Sequence, residues 1–359
     1  MAVTSKSPRA VALAALAVAR RSLPAYAHKN SPQTFTQHQL FACLVLKNFL
    51  KTDYRGVTAH VVDNPSLVGT LELGRVPHFT TLQKASHRLL AAAKVERLLD
   101  ASVGLRMRRK RRVQSSAIDS TGLETSCASA YFARRRKSAT NPRKKVVYHR
   151  YPKLGVVANT SDHFILAQHA GRGPRPDVDE FLPLVAQAQQ RVRLGQMAAD
   201  AGYDSEPNHR FARDGCGIRT IIPARHGRPT AKPAKGRYRR LMQTRFDTDA
   251  YHRRVQIETV MSMIKRRQGP HVRGRSYWSQ CRDLRLLVLA HNAMLLVLCE
   301  LFYRAVLTPF PRASSTSPAA SKLNVPGSGT AAAPPTVQLE LMRLMSKMST
   351  SMSKSKSRS

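Results

Sequence analysis

The stretch Tyr251-His-Arg-Arg-Val-Gln-Ile-Glu-Thr-Val-Met-Ser-Met-Ile-Lys265 carries a phenol, two cations and a carboxylate at the spacing Y-x2-R-x3-E-x6-K. On a helix that turns by about 100° per residue, Tyr251, Arg254, Glu258 and Lys265 project within about 60° of one another. The opposite side is apolar and consists of Ile257, Val260, Met261, Met263 and Ile264. The stretch therefore predicts a single helix with one functional stripe and one face toward a core.

Those four side chains match the requirements of metal-dependent phosphodiester chemistry. A carboxylate such as Glu258 binds a cation, Arg254 and Lys265 hold phosphates, and the Tyr251 phenol hydrogen-bonds or stacks. The alternative is an ordinary solvated face built from i,i+3 and i,i+4 charge pairs. We favour the first interpretation, since the full match is expected by chance in about one of several hundred chains of this length.

The same spacing resembles the signature of bacterial insertion-sequence transposases of the DDE class, cut-and-paste enzymes with an RNase H-like fold. Such an enzyme needs two further aspartates, each on a strand upstream of Glu258. Residues 113–119 look like the first core strand, ending at Asp119 before a turn at Gly122, and residues 196–200 look like a short inner strand that ends at Asp200. One aspartate before a turn is usually only turn chemistry. The assignment of these residues to the DDE pattern therefore rests on their order along the chain, which is Asp, Asp and then a Glu on a helix.

The resemblance implies that Asp119, Asp200 and Glu258 are the catalytic residues and bind two Mg²⁺ (or Mn²⁺) ions. It also implies that Tyr251, Arg254 and Lys265 contact double-stranded DNA, both as element ends and as target, on which the protein acts as a homodimer. The predicted function is a DDE transposase that binds the terminal repeats of an insertion sequence and catalyses metal-dependent cleavage and strand transfer. Two alternatives stay open: a catalytically inactive or domesticated DNA-binding derivative, and an RNase H-fold nuclease.

The charge of the chain fits a nucleic-acid substrate. Lys and Arg number 60 against 21 Asp and Glu, which gives a net charge of +39 and a pI near 11.3. Basic clusters occupy residues 106–112, 134–137 and 143–145, and we expect Arg134, Arg135 and Arg136 to bind phosphates. Coding bias or a solvated charge run explains a single cluster equally well. Three clusters around one candidate site favour DNA.

The family resemblance implies a cytoplasmic, nucleoid-associated bacterial protein, and cysteine usage and the apolar runs agree with a reducing cytosol and no membrane partner. The five cysteines are scattered and lack any C-x2-C spacing, so neither a disulfide framework nor a zinc site is predicted. The apolar run Ala10 to Ala19 is followed directly by two arginines, which favours a helix over a signal peptide. The run Leu284 to Phe302 contains Arg285, His291, Asn292 and Glu300, and this polarity favours a core helix over a membrane span.

The organisation along the chain predicts an α/β protein. Four segments are expected: a basic Ala-rich segment (1–31), a small all-α domain (32–105), an RNase H-like catalytic domain (106–303) and a disordered low-complexity tail (304–359). The family resemblance implies that residues 32–105 bind DNA ends, and a helical lid on the core is the alternative. A capping-box pattern at Thr36 and Gln39 opens a helix in the second segment.

The catalytic segment is expected to contain a mixed sheet flanked by helices. Strands near 113–119, 153–160 and 163–170 precede alternating helices and strands. Residues 223–248, which are rich in Pro, Gly, Lys and Arg, are predicted to form a basic loop on the DNA path.

Overall fold

A mixed β-sheet lies at the centre of the fold. The computed structural model describes residues 5–30, 32–107, 111–125, 150–224 and 233–307, the last ten of these by their backbone only. The described strands are β1 (Arg112–Gly122), β2 (Glu124–Thr125), β3 (Tyr151–Asn159), β4 (Ile165–Gly173), β5 (Arg193–Ala199), β6 (Arg219–Ile221) and β7 (His271–Val272). The main sheet has the order β4-β3-β1-β5-β6, while β2 and β7 form a separate parallel pair.

The pairing within the main sheet changes direction at β1. Strand β1 runs antiparallel to β3, which runs antiparallel to β4, whereas β1, β5 and β6 are mutually parallel. Parallel neighbours need a long crossover connection, and helices supply part of it here. The predicted order, three antiparallel strands followed by alternating helices and strands, is confirmed, and with it the mixed sheet of an RNase H-like core.

Helices cover the sheet and build the N-terminal region. Before the sheet they are α1 (Pro8–Ser22), α2 (Gln37–Phe49), α3 (Tyr54–Val62), α4 (Pro65–Thr70), α5 (Phe79–Leu89) and α6 (Ala92–Met107). Within and after the sheet they are α7 (Phe181–Arg191), α8 (Glu206–Arg210), α9 (Arg237–Thr244), α10 (Thr248–His252), α11 (Val255–Gln268) and α12 (Tyr277–Leu307). The predicted capping box is present, because Thr36 Oγ1 accepts from Gln39 N and Gln39 Oε1 accepts from Thr36 N.

The long helix α12 connects the N-terminal helices to the sheet. It packs on α1, α2 and α6 on one side and on β4 on the other, and its side chains from Leu284 to Val297 are mostly buried. The predicted core helix is thus confirmed, as is the helix over the first apolar run, where α1 buries most of its apolar side chains and leaves Leu13 exposed. Among the described helices, none is both long and apolar enough to cross a membrane.

Strand β1 extends farther than its sequence indicates. It was expected to end at Asp119, yet it stays paired with β3 as far as Gly122, opposite Lys153. Its two central serines are buried and bonded: Ser116 Oγ donates to the Gln196 carbonyl at 2.7 Å, and Ser115 Oγ accepts from the Gln196 amide at 3.2 Å. These bonds explain how a strand of low hydrophobicity occupies the middle of the sheet.

The segment 223–248 is not the loop that its composition predicts. Residues 225–232 are outside the part of the chain that the structure describes. After them comes helix α9, in which Tyr238 and Met242 are buried. The backbone N–H groups of Tyr238 and Arg239 donate to the Glu206 carboxylate, which satisfies the first turn of α9. Burial of two large side chains outweighs the polar composition of the segment, so the loop prediction is wrong here.

The division of the chain into domains stays a prediction. The described residues before Pro309 form one compact unit, in which α12 belongs to the packing of both the helical region and the sheet. The low-complexity tail, predicted from residue 304, lies outside the described residues except for the end of the α12 backbone.

Candidate active site

Asp119 and Asp200 occupy equivalent positions on two neighbouring parallel strands. The last parallel pair between β1 and β5 is Ile118 with Ala199; Asp119 comes next within β1, and Asp200 comes directly after the end of β5. Adjacent strands lie about 4.8 Å apart, so the two aspartates belong to neighbouring backbone positions at the same end of the central strands. Each carboxylate accepts a hydrogen bond from the next backbone N–H, at 2.7 Å from Ser120 and 2.6 Å from Ala201.

Glu258 lies in the first turn of α11, on the side of that helix that faces Asp119. The apolar side of that helix packs into the core as predicted, with Ile257, Val260 and Ile264 buried. The opposite side turns Glu258 outward. Arg254, at the N-cap of α11, joins the acids: its Nη2 donates to Glu258 Oε1 at 2.7 Å, and its Nη1 lies 3.8 Å from Asp119 Oδ2. The guanidinium therefore bridges the catalytic helix and the central strand.

The predicted helix from Tyr251 to Lys265 is interrupted between Tyr251 and Arg254, and the prediction of one continuous helix is wrong. Helix α10 ends at His252, and α11 begins at Val255. In the turn between them, backbone N–H groups reach back three residues, as in the bond from Arg254 N to the Tyr251 carbonyl at 2.8 Å. Tyr251 packs its ring 5.1 Å from the ring of Phe246 and 5.7 Å from the Arg254 guanidinium. The tyrosine thus stays beside the site although it belongs to a different helix.

An open groove of about 480 Å³ lies between the end of β1 and α11. Its lining residues are Asp119, Ser120, Thr121, Glu258, Met261, Ser262, Lys265 and Arg266. Acids occupy one end and cations the other, which suits a substrate that presents a phosphodiester to carboxylates and its neighbouring phosphates to basic groups. Arg134, Arg135 and Arg136, which were also predicted to bind phosphate, lie outside the described residues.

A family comparison agrees with this geometry. The family model described as "Transposase DDE domain" matches residues 114–293, which is half of the chain. The chain belongs to the DDE transposase family. The matched range includes all of the groove residues, both aspartates and Glu258. No curated protein gives a significant match.

The acids of this transposase fit the divalent metal ions that DDE transposases generally use. Mg²⁺ prefers oxygen ligands and binds through one or two carboxylates together with substrate phosphates. Asp119 and Asp200 supply such carboxylates side by side, and Glu258 supplies a third across the groove. Within the described residues, no three His, Cys, Asp or Glu side chains already stand close enough to hold an ion. Arg254 lies between Asp119 and Glu258, so it would have to move for both carboxylates to hold one ion.

A buried ionic network beside Asp119 was not predicted. Ser120 Oγ donates to Asp177 Oδ1 at 2.6 Å, and Lys153 Nζ contacts Asp177 Oδ1 at 2.7 Å and Glu180 Oε1 at 3.1 Å. Although burial lowers the pKa of Lys153, its bonds to Asp177 and Glu180 raise that pKa above its usual value overall. The network fixes the residue that follows Asp119. The sequence gives little indication of this network, because a lysine within a strand is more often exposed than buried.

The Asp119 carboxyl group binds its proton more tightly than an aspartate in water does. Its pKa is raised to about 6, and burial is the largest cause. The negative charges of Asp200 and Asp177 also raise this pKa, whereas the Ser120 N–H and Arg254 lower it. Since the unfolded value is 3.8, the folded state binds the proton more tightly than the unfolded state. Stability is therefore lost as the pH rises from about 4 through about 6, and the ionised carboxylate destabilises the metal-free fold above that range.

We expect Asp119→Asn to stabilise the metal-free protein at pH 8. The gain should be about 1–3 kcal/mol, because an amide avoids the burial of a charge. Urea unfolding in EDTA at pH 8 and pH 4.5 measures the effect, which should become smaller at the lower pH. Asp63→Asn, at an exposed position on the end of α3, is the control and should give the same small difference at both pH values. A pH-independent effect of Asp119→Asn would contradict the burial argument.

Proposed function

We propose that this transposase binds the terminal repeats of an insertion sequence, cuts the DNA at their boundary and joins the freed 3′ end to target DNA. The observation that supports this most directly is the register of β1 and β5, which brings Asp119 and Asp200 side by side opposite Glu258. Two aspartates from neighbouring strands and a glutamate from a helix are the set that the family resemblance implies. The basic end of the groove attracts the negatively charged phosphates of DNA.

The three acids act as the ligands for Mg²⁺ or Mn²⁺ in this proposal, with two ions per site. When bound, these ions lower the pKa of the attacking water or hydroxyl and neutralise charge on the leaving oxygen. The protein contributes position: the backbone N–H groups of Ser120 and Ala201 orient the two aspartates, and the packed face of α11 fixes Glu258. Metal affinity is low without DNA, because the ions depend on substrate phosphates to complete their ligand shell.

The basic residues bind the DNA backbone on either side of the cut. Lys265 and Arg266 line the groove about two helical turns beyond Glu258, where they meet the phosphates that flank the reacting one. Arg254 exchanges its contacts with Glu258 and Asp119 for a phosphate when the substrate and ions arrive. Tyr251, held against Phe246, orients a backbone group or stacks on a base.

Recognition of the repeats is assigned to the helical N-terminal region together with Arg134, Arg135 and Arg136. Two element ends must be held at once for their coordinated transfer, so we propose a homodimer on DNA. The cytoplasmic, nucleoid-associated location stays a prediction.

The deciding experiment incubates the purified full-length protein with labelled DNA that carries the repeats flanking its own gene. Parallel reactions contain Mg²⁺, Mn²⁺ or EDTA and a supercoiled target plasmid. We expect cutting at the repeat boundary in either metal, joined products with the plasmid, and neither in EDTA. Cutting without joining would indicate the nuclease alternative. Tight binding without cutting under every condition would indicate an inactive DNA-binding derivative and would refute the proposal.

A further inference from the structure

Trp278 is the only tryptophan of the chain, and 67% of its surface is exposed at the start of α12. This exposure leaves a ring face of the indole free to stack on a ligand. The neighbouring Tyr277 packs edge-on against it, with ring centroids 5.0 Å apart. Arg172 of β4 lies over the Tyr277 ring at 4.7 Å. We call Arg172, Tyr277 and Trp278 the aromatic–arginine cluster.

The aromatic–arginine cluster belongs to the same face of the sheet as Asp119. Asp119 pairs with Val156, which pairs with Gln168, and directly opposed residues of antiparallel strands share a face. Arg172 is four residues beyond Gln168 on β4, so it projects from that face too. Two strand spacings and four residues of rise separate Arg172 from Asp119 by about 17 Å between Cα atoms. That distance corresponds to about five nucleotides of stacked DNA.

We propose that the aromatic–arginine cluster is a binding site for unpaired bases of the DNA strand that leaves the active-site groove. This inference rests on the proposed function, because it takes the acids as the place where DNA is cut. The open face of Trp278 offers a stacking surface, and stacking is available to every base through its π-face. The guanidinium of Arg172 adds a cation for the strand and restrains the Tyr277 ring.

Charge and geometry favour unpaired DNA over other occupants. In an intact duplex the base faces are covered by their neighbours, so only unpaired nucleotides can stack on the indole. A second copy of this chain would bring another strongly basic protein, since the net charge is +39, against a surface that already carries Arg172 and the exposed Arg275. A polyanion with exposed aromatic rings matches both features of the cluster.

The test is an equilibrium titration of the full-length protein in EDTA, where no cutting occurs. Two DNA ligands are compared, a blunt duplex of the element end and the same duplex with five unpaired nucleotides on one strand. Because Trp278 is the only tryptophan, its emission reports on this site alone. We expect the unpaired extension to quench the emission and the blunt duplex to leave it nearly unchanged.

Variants are measured by anisotropy of labelled DNA. Trp278→Ala should weaken binding of the extended ligand by about 5- to 100-fold and binding of the blunt duplex by less than about twofold. Trp278→Phe should retain most of the affinity. The control Leu182→Ala removes another exposed apolar side chain, 38% exposed on α7 at the other face of the sheet, and should change neither.

Three results would overturn the inference: emission that does not respond to unpaired bases, equal losses for both ligands, or a Trp278→Ala protein that dissociates from dimer to monomer in sedimentation while its DNA affinity is unchanged. The last would make a second copy the occupant. Failure of the proposed function is a distinct result: the wild-type protein would never cut the DNA, although unpaired bases quench the Trp278 emission. If it cuts while Trp278 does not respond, only this inference fails.

Discussion

Replacing any one of the three acids, as Asp119→Asn, Asp200→Asn or Glu258→Gln, should reduce cutting at the element end by about 10³-fold or more. An amide of the same shape is a far weaker ligand for Mg²⁺ than a carboxylate, so the loss of any one of the three acids would leave the ions incompletely held. DNA affinity should change by less than about threefold, because it depends on lysine and arginine contacts to phosphates. Gel assays of cutting and anisotropy measurements of binding separate these two effects.

The controls for this prediction use neighbouring groove residues and a change of metal. Ser262→Ala, in the same groove, should leave cutting within about twofold of the wild-type rate. Asp119→Asn combined with Glu258→Gln should lose hardly more than either change alone, since residues that act as a unit are not additive. Asp200→Cys should be inactive in Mg²⁺ and regain part of its activity in Mn²⁺, which accepts softer ligands. Full metal-dependent cutting by any single acid variant would refute the assignment.

Short-range patterns predicted the parts of the site that depend on local structure. The apolar periodicity of α11 identified its buried face, and Ile257, Val260 and Ile264 are buried as expected. The position of Asp200 at the end of a strand followed from the turn-forming residues after it. These features depend on periodicity and turn chemistry, which act over a few residues and are visible in a single sequence.

Long-range contacts produced the features that the sequence did not predict. Strand β1 continues past Asp119 because β3, more than thirty residues away, supplies partners as far as Gly122. Helix α9 forms in a basic segment because Glu206 accepts from its first N–H groups and Tyr238 is buried. The network of Lys153 and Asp177 joins residues from separate strands and turns. Pairings at such separations depend on the whole topology, and one sequence does not reveal them.

Asn292→Leu should destabilise the protein by about 3–5 kcal/mol, the largest stability effect that we expect from a single side chain. Asn292 is fully buried on α12 and completes the free edge of β4: its Oδ1 accepts from Ile165 N at 3.0 Å, and its Nδ2 donates to the Ile165 carbonyl at 2.9 Å and to Ser102 Oγ at 3.2 Å. Leucine would leave the Ile165 N–H and carbonyl buried without partners, and each such group costs about 1–3 kcal/mol.

Urea unfolding followed by far-UV circular dichroism measures this loss, and hydrogen exchange at the Ile165 amide locates it. Ser102→Ala is the graded control, because it removes one of the three bonds and leaves both bonds to Ile165 intact. It leaves one buried Nδ2 hydrogen of Asn292 without this acceptor, so it should cost about 1–2 kcal/mol, less than Asn292→Leu. If Asn292→Leu unfolded within about 1 kcal/mol of the wild type while the Ile165 amide stayed protected, the edge of β4 would not depend on this amide. The expected result instead makes Asn292 the link between the N-terminal helices, through Ser102 on α6, and the sheet that carries Asp119. The same change should then lower cutting activity only in proportion to the folded fraction, unlike substitution of the acids, which leaves the fold in place.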